Sequence, residues 1–158
     1  MQFNIDLNKL QKSYRLIQAE IHPDKFVSAS QIEKQQSLIK STEVNDAYQT
    51  LKDPIKRAKY LIQINLKSEQ NDSVLPPDFL MQQMEWEEHL ESIWKQKKEL
   101  EKFQLVISKE YQKKLDDLEN ECDKNKNWND AAEIINKIQF IDKLNHKIMK
   151  QINMIETK

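Results

Sequence analysis

The chain has 158 residues, of which 32% are charged and 38% hydrophobic, and it contains no glycine and only four prolines. Because glycine is the usual residue for tight turns with positive φ, its absence argues against a sheet rich in hairpins. It also excludes the glycine-rich phosphate loops of nucleotide-binding enzymes. The formal net charge of −1 provides no general field for nucleic acid or an anionic membrane. We predict an all-α fold in one domain or two small ones.

The sequence contains no membrane-spanning or secretory signal. No apolar run approaches the roughly 20 residues that cross a bilayer, and the start MQFNIDLNKL lacks the features of a signal peptide. We therefore predict a cytoplasmic protein. Cys122 is the only cysteine, which excludes an intrachain disulfide and a paired-cysteine zinc site. Because it continues the apolar stripe of its helix, we interpret it as a buried structural thiol and expect no cofactor and no bound metal.

The first predicted helix ends at a charged corner, His22-Pro23-Asp24-Lys25-Phe26. Pro23 cannot continue a helix, and it pushes His22 out of the helical region. The corner thus displays an imidazole, a rigid ring and a carboxylate together. Taken alone, it is better interpreted as a simple helix stop with a solvated turn. The preceding helix has three-four apolar spacing that predicts one buried stripe: Leu7, Leu10, Tyr14, Ile17 and Ile21.

The segments after the corner change this interpretation. A second helix is predicted over 32–51, and Asp53-Pro54 then forms an N-cap with proline at the first position of a third helix. A helix, the His-Pro-Asp corner, a longer antiparallel helix and the segment DPIKRAKY together resemble the J domain of DnaJ-type co-chaperones. Leu61-Ile62 after the tyrosine, and HPDKF at the corner, are similar to the HscB branch, the J proteins of iron–sulfur cluster assembly.

This resemblance implies a contact with an HscA-type chaperone of the DnaK class, whose ATP hydrolysis it would accelerate. The implied chaperone-binding residues are the corner and the cations near it: His22, Pro23, Asp24, Lys25, Lys12 and Arg15.

Composition divides the chain into a J domain at 1–66, a polar, proline-terminated linker at 67–77 and a second unit at 78–158. The second unit has three amphipathic segments, which predict a three-helix bundle. A free coiled coil is the alternative, and breaks near 98 and 125–129 favour the bundle. The predicted core stripes are Phe79, Trp86, Leu90 and Ile93; Leu100, Phe103, Ile107, Tyr111, Leu115, Leu118 and Cys122; and Ile134, Ile138, Ile141, Ile148, Ile152 and Ile155.

The helix beginning near Phe79 carries a second apolar face. Leu80, Met81 and Met84 lie away from its core stripe. Spacing alone favours equally a compliant partner-binding patch and a patch covered by the linker or the J segment. The run FLMQQME resembles the scaffold-binding segment of HscB proteins, and QFIDKL resembles a second family motif. The resemblance, which spans nearly the whole chain, implies that an IscU-type scaffold protein contacts Leu80, Met81, Met84, Glu85, Glu88 and Phe140.

The chain departs from the family pattern in two places. HscB proteins carry a further short helix before the equivalent of Ile5-Asp6, so we expect the first J-domain helix to be absent, through a misassigned start or a truncation. Its absence would leave part of the first apolar stripe uncovered. Glu20 stands where J domains commonly have a cation, which predicts a weaker electrostatic contact with the chaperone.

The sequence thus predicts a two-ended adaptor that brings IscU to the chaperone and stimulates its ATPase. A J protein for another client, or a non-catalytic helical adaptor, is the alternative. An enzyme with His22 and Asp24 as an acid–base pair is not expected, because the sequence offers no nucleophile, no metal-ligand cluster and no evident pocket.

Overall fold

The computed structural model describes residues 2–66 and 75–157. These residues form helices and no strands, so the predicted all-α class is confirmed. Most of the predicted linker, 67–74, lies outside the described residues. None of the described helices is long and apolar enough to cross a membrane. The helices are α1 (Leu7–Ile21), α2 (Gln31–Lys52), α3 (Pro54–Leu66), α4 (Pro77–Ser92), α5 (Lys97–Glu119) and α6 (Trp128–Glu156).

The chain divides into two compact units, Met1–Leu61 and Ile62–Lys158, and the division falls inside α3. Local signals fix the helix starts of the first unit. Ser30 and Glu33 form a reciprocal capping box at the start of α2. The Asp53 carboxylate accepts a hydrogen bond from the Lys56 amide at 2.8 Å, which confirms the predicted N-cap of α3.

The predicted burial of the α1 stripe is wrong. No residue of α1 is buried, and Leu7 and Ile17 remain 50% and 43% exposed. The reason is that α2 covers only one flank of α1, where the Tyr14 and Tyr48 rings stack with centroids 4.1 Å apart. The exposure of Leu7 and Ile17 agrees with the expectation of a partly uncovered stripe.

Arg57, from the KRA motif, is a buried anchor within the first unit. Its guanidinium donates to the Leu51 carbonyl at 2.5 Å and lies 4.9 Å from the centroid of the Phe3 ring. Because the last carbonyls of a helix lack intrahelical donors, Arg57 both satisfies the end of α2 and fixes the segment that precedes α1.

The second unit has one apolar core to which α4, α5 and α6 all contribute. The stripe predicted for α4 packs in it, as do Leu100, Phe103 and Ile107 of α5. Leu118 and Cys122 are also buried, whereas Trp86, Tyr111 and Leu115 are only partly buried. In α6 the prediction needs correction: Ile135 and Leu144 are buried, whereas Ile134, Ile152 and Ile155 are only half-buried. α4 also ends at Ser92, earlier than the break predicted near 98. The buried residues that pack together in this cluster are Phe79, Leu90, Ile93, Leu100, Phe103, Ile107, Ile141, Leu144 and Ile148.

α5 and α6 are joined through a π-helical turn, Asn120–Asn125, followed by Lys126 in the left-handed region with φ 55° and ψ 31°. The Lys126 ammonium donates to the Cys122 carbonyl at 2.9 Å. Left-handed backbone is unfavourable for any residue with a Cβ. Because the chain has no glycine, a lysine adopts this conformation here.

A β-branched residue at position 126 is expected to destabilise the fold. Lys126→Ala removes the contacts of the side chain with the Cys122 carbonyl and the Trp128 ring, so the further loss in Lys126→Val reports the left-handed backbone. We expect the free energy of unfolding of the valine variant to be about 1 kcal/mol lower than that of the alanine variant. Urea unfolding of both variants measures this difference. The control is the same alanine and valine pair at exposed Lys124. Equal differences at 124 and 126 would contradict the assignment.

Cys122 is fully buried at this turn, and burial raises the pKa of its thiol from 9.0 to about 11. Between these values the unfolded chain releases a proton that the folded chain keeps. The free energy of unfolding is therefore expected to fall as the pH rises through this window.

At pH 8 the native thiol should react with a disulfide reagent about 100-fold more slowly than in denaturant, because its thiolate fraction is smaller by that factor. Equal rates in the two conditions would show that Cys122 is accessible.

Candidate functional site

The corner between α1 and α2 has the backbone that its proline predicts. His22 is extended, with φ −59° and ψ 131°, and Pro23 opens a 3₁₀ turn over Pro23–Phe26. The Lys25 amide donates to the His22 carbonyl at 3.0 Å, which closes the turn. The corner is therefore a structured turn and not a loose helix end.

The side chains of the corner form a compact polar group. The Asp24 amide donates to His22 Nδ1 at 3.2 Å, and the same nitrogen lies 3.5 Å from the Asp24 carboxylate. A ring nitrogen that accepts a hydrogen bond from an amide N–H carries no proton of its own. The imidazole proton of His22 therefore sits on Nε2. The side chains of His22 and Asp24 are 53% and 88% exposed. The corner thus offers one N–H donor and one carboxylate to a partner.

The cations predicted to flank the corner are all exposed. Arg15 and His22 line the same open groove between α1 and α2, so the structure brings these two together. Lys12 lies one turn earlier and shares a second depression with Arg15. Lys25 follows Asp24 within the 3₁₀ turn. These side chains place exposed cations along α1 and at the corner.

Polar contacts along the same hairpin were not predicted. The Tyr14 hydroxyl donates to the Asn45 side-chain carbonyl at 3.2 Å. One turn on, Gln18 donates to the Ser41 carbonyl at 3.1 Å and accepts from the Ser41 hydroxyl at 3.0 Å. The signal in the sequence was the recurrence of polar residues at three-four spacing on both helices, at 14 and 18 and at 37, 41 and 45.

The second surface lies on α4. Leu80 is 43% exposed, and Met81 and Met84 are each 64% exposed, while Phe79 and Leu90 of the same helix are buried. The two-faced helix predicted from periodicity is therefore confirmed. Glu85 and Glu88 are also exposed on α4 and follow the apolar patch toward the C-terminal end of the helix.

Phe140 of α6 is in contact with α4 through an aromatic cluster. Its ring stacks on Trp86, with centroids 6.4 Å apart and an interplanar angle of 11°. It also meets Phe79 edge to face at 6.0 Å. The structure thus brings Phe140, half-buried, to the helix that carries Leu80 and Met84. The support that Trp86 gives it was missed, because a stacking contact between distant segments leaves no local pattern in the sequence.

Within 2–66 and 75–157, no group of three or more histidine, cysteine or acidic side chains is placed to hold a metal ion. The candidate site consists of two exposed contact surfaces. One is a charged corner on a helical hairpin, and the other is an apolar patch with acidic neighbours on a helical unit.

Comparison with known families identifies both units. Residues 2–60 match the DnaJ domain family, and residues 75–149 match the family described as the HSCB C-terminal oligomerisation domain. A DnaJ domain with an exposed His-Pro-Asp corner defines the chain as a J-domain co-chaperone.

Relatives cover nearly the whole length. A co-chaperone protein HscB homologue of Photobacterium profundum is 37% identical over 93% of this chain and 88% of the relative. A homologue from Mannheimia succiniciproducens is 37% identical over 100% of this chain and 91% of its own. The crystal structure of human HscB is similar with a TM-score of 0.87, at 29% identity over 96% of this chain and 78% of that one. Chaperone HscB from Vibrio cholerae has a TM-score of 0.85, at 34% identity over 98% and 93%.

The chain belongs to the HscB co-chaperone family, as the sequence motifs implied. Its family serves iron–sulfur cluster assembly, and HscB co-chaperones are non-catalytic, so the chain is not an enzyme. This excludes the hypothesis that His22 and Asp24 form a catalytic acid–base pair.

Proposed function

We propose that this chain is a two-ended adaptor that delivers an IscU-type iron–sulfur scaffold protein to an HscA-type chaperone and stimulates its ATPase. The observation that carries the proposal is the presence, in one chain, of an ordered His-Pro-Asp corner and an exposed apolar patch on different compact units. Each surface lacks catalytic groups and each has the form of a protein contact.

The chaperone end is the corner His22-Pro23-Asp24-Lys25 with Lys12 and Arg15. Its exposed cations suit an acidic surface on the chaperone, where charge complementarity mainly raises the association rate. Asp24, 88% exposed, is the group whose charge becomes desolvated on contact. No residue of this chain need touch ATP, because a contact that favours the hydrolysing state of the chaperone shifts that population by itself.

The scaffold end is the patch on α4. Leu80, Met81 and Met84 expose large apolar side chains next to one another, and methionine adapts its shape to a partner. Glu85 and Glu88 add negative charge beside the patch. Phe140 completes the surface from α6, where its contact with Trp86 limits the rotamers it must give up on binding.

In this proposal residues 1–66 act as the J domain and 78–158 as the scaffold-binding unit, a three-helix bundle. Joining them in one chain raises the effective concentration of IscU at the chaperone, to the order of 1 mM for short linkers. The cytoplasmic location predicted from the sequence stays a prediction.

The test is a titration of the full chain into an HscA-type chaperone, with the steady-state ATPase rate as readout, at a fixed low concentration of IscU and without it. Stimulation that saturates, and that saturates at lower chain concentration with IscU present, supports the proposal. ATPase stimulation whose concentration dependence is the same with and without IscU indicates a J protein for another client. No stimulation with retained IscU binding indicates a structural adaptor.

A further inference from the structure

The last carbonyl of α1 needs a donor from outside the helix. Ile21 ends α1, and the last four carbonyls of any helix have no intrahelical N–H. The residues that follow often supply one, but Pro23 has no amide proton and His22 is extended. The conformation of the His-Pro-Asp corner thus depends on how the carbonyl immediately before it is held.

That donor comes from α2. The Ser37 hydroxyl donates to the Ile21 carbonyl at 2.7 Å. Ser37 is 4% exposed and is the one buried residue of α2, so this bond is shielded from competing water. A hydrogen bond in such surroundings is stronger than one at an open surface.

Apolar packing alone does not fix this end of the hairpin, because α1 has no fully buried residue. Polar contacts at three successive levels join the two helices instead, and the Ser37 contact is the level next to the corner. The other levels are Gln18 with Ser41 and Tyr14 with Asn45. A helix end held by one buried hydroxyl is free to rotate or fray when that hydroxyl is lost.

We propose that Ser37 is the positioning residue for the His-Pro-Asp corner: its hydroxyl caps α1 and fixes the direction in which His22 and Asp24 are presented. Ser37 itself touches no partner. The expected effect on the chaperone rests on the proposed function, whereas the expected effect on the corner does not.

The experiment compares Ser37→Ala with Ser37→Thr, which keeps the hydroxyl, and with Thr42→Ala. Thr42 is a matched control because its hydroxyl bonds to the Leu38 carbonyl within α2 itself. Two quantities are measured on the full chain: amide hydrogen exchange of Asp24 and Lys25, and the chain concentration that gives half-maximal stimulation of the chaperone ATPase.

In Ser37→Ala we expect the Asp24 and Lys25 amides to exchange about fivefold faster, the factor that the loss of one neutral hydrogen bond produces. The half-maximal concentration should rise by at most the same factor, in proportion to the loss of the fraction of chains that presents the competent corner. Maximal stimulation and IscU binding should stay unchanged. Ser37→Thr should restore both quantities, and Thr42→Ala should change neither.

Unchanged exchange at Asp24 and Lys25 in Ser37→Ala overturns the inference. Equally fast exchange of these amides in Thr42→Ala overturns it too. If Ser37→Ala fails to fold, Ser37→Cys, which keeps the volume but donates weakly, is compared with Ser37→Thr in the same way. If the wild-type chain does not stimulate the chaperone at all, the proposed function fails, and the exchange rates still decide whether Ser37 positions the corner.

Discussion

Replacing Asp24 with asparagine is expected to lower stimulation of the chaperone ATPase at least about 30-fold, the loss typical when one partner of a desolvated charge contact is removed. Asparagine keeps the shape of the side chain and removes only its charge. The side chain of Asp24 is 88% exposed and its carboxylate lies 3.5 Å from the His22 ring, so the fold should be unaffected. Single-turnover ATPase measurements below and at saturating chain separate a loss of binding, which gives this factor, from a loss of maximal stimulation.

Asp46→Asn is the matched control, since Asp46 is an exposed aspartate on α2 and should have no effect. IscU binding by the Asp24 variant should equal that of the wild type. An Asp24→Asn chain that still stimulates fully would remove the corner from the proposed chaperone contact.

Changing Leu80, Met81 and Met84 together to alanine is expected to give the opposite phenotype. Central apolar contacts each contribute on the order of 1–2 kcal/mol to an interface, so the triple variant should bind IscU at least about 100-fold more weakly. Because all three side chains are exposed, the core should keep its stability. Calorimetric titration of IscU measures the loss, and the ATPase stimulation seen without IscU should remain.

The control for this variant is a second exposed apolar pair in the same unit. Leu105 and Val106 on α5 are both exposed, and their joint change to alanine removes apolar surface outside the proposed contact. If both variants weakened IscU binding equally, the effect would be general surface hydrophobicity and the assignment of the α4 patch would be wrong.

The helices and the two faces of α4 followed from the sequence because they depend on local chemistry. The helix start at Asp53-Pro54 and the apolar spacing of Phe79, Leu90 and Ile93 depend only on residues that are close in the sequence. The exposure of α1 did not follow, because an apolar stripe shows which side can be buried but not whether anything covers it.

Contacts between distant segments account for the remaining differences. The family motif named Phe140, yet its stacking on Trp86 depends on how α4 and α6 pack. The Ser37 contact with Ile21 likewise joins residues 16 positions apart. The left-handed Lys126 had no signal at all, since glycine, the usual marker of such a position, is absent from the chain.

The most direct test of the adaptor is a mixing experiment with the two variants. Asp24→Asn retains the scaffold contact and the triple alanine variant retains the corner, so together they hold both surfaces on separate molecules. Single-turnover ATP hydrolysis by the chaperone is measured at low IscU with the wild type, with each variant and with their mixture. If one chain must join the partners, the mixture stimulates no more than the triple variant alone. A mixture that matches the wild type would contradict the account.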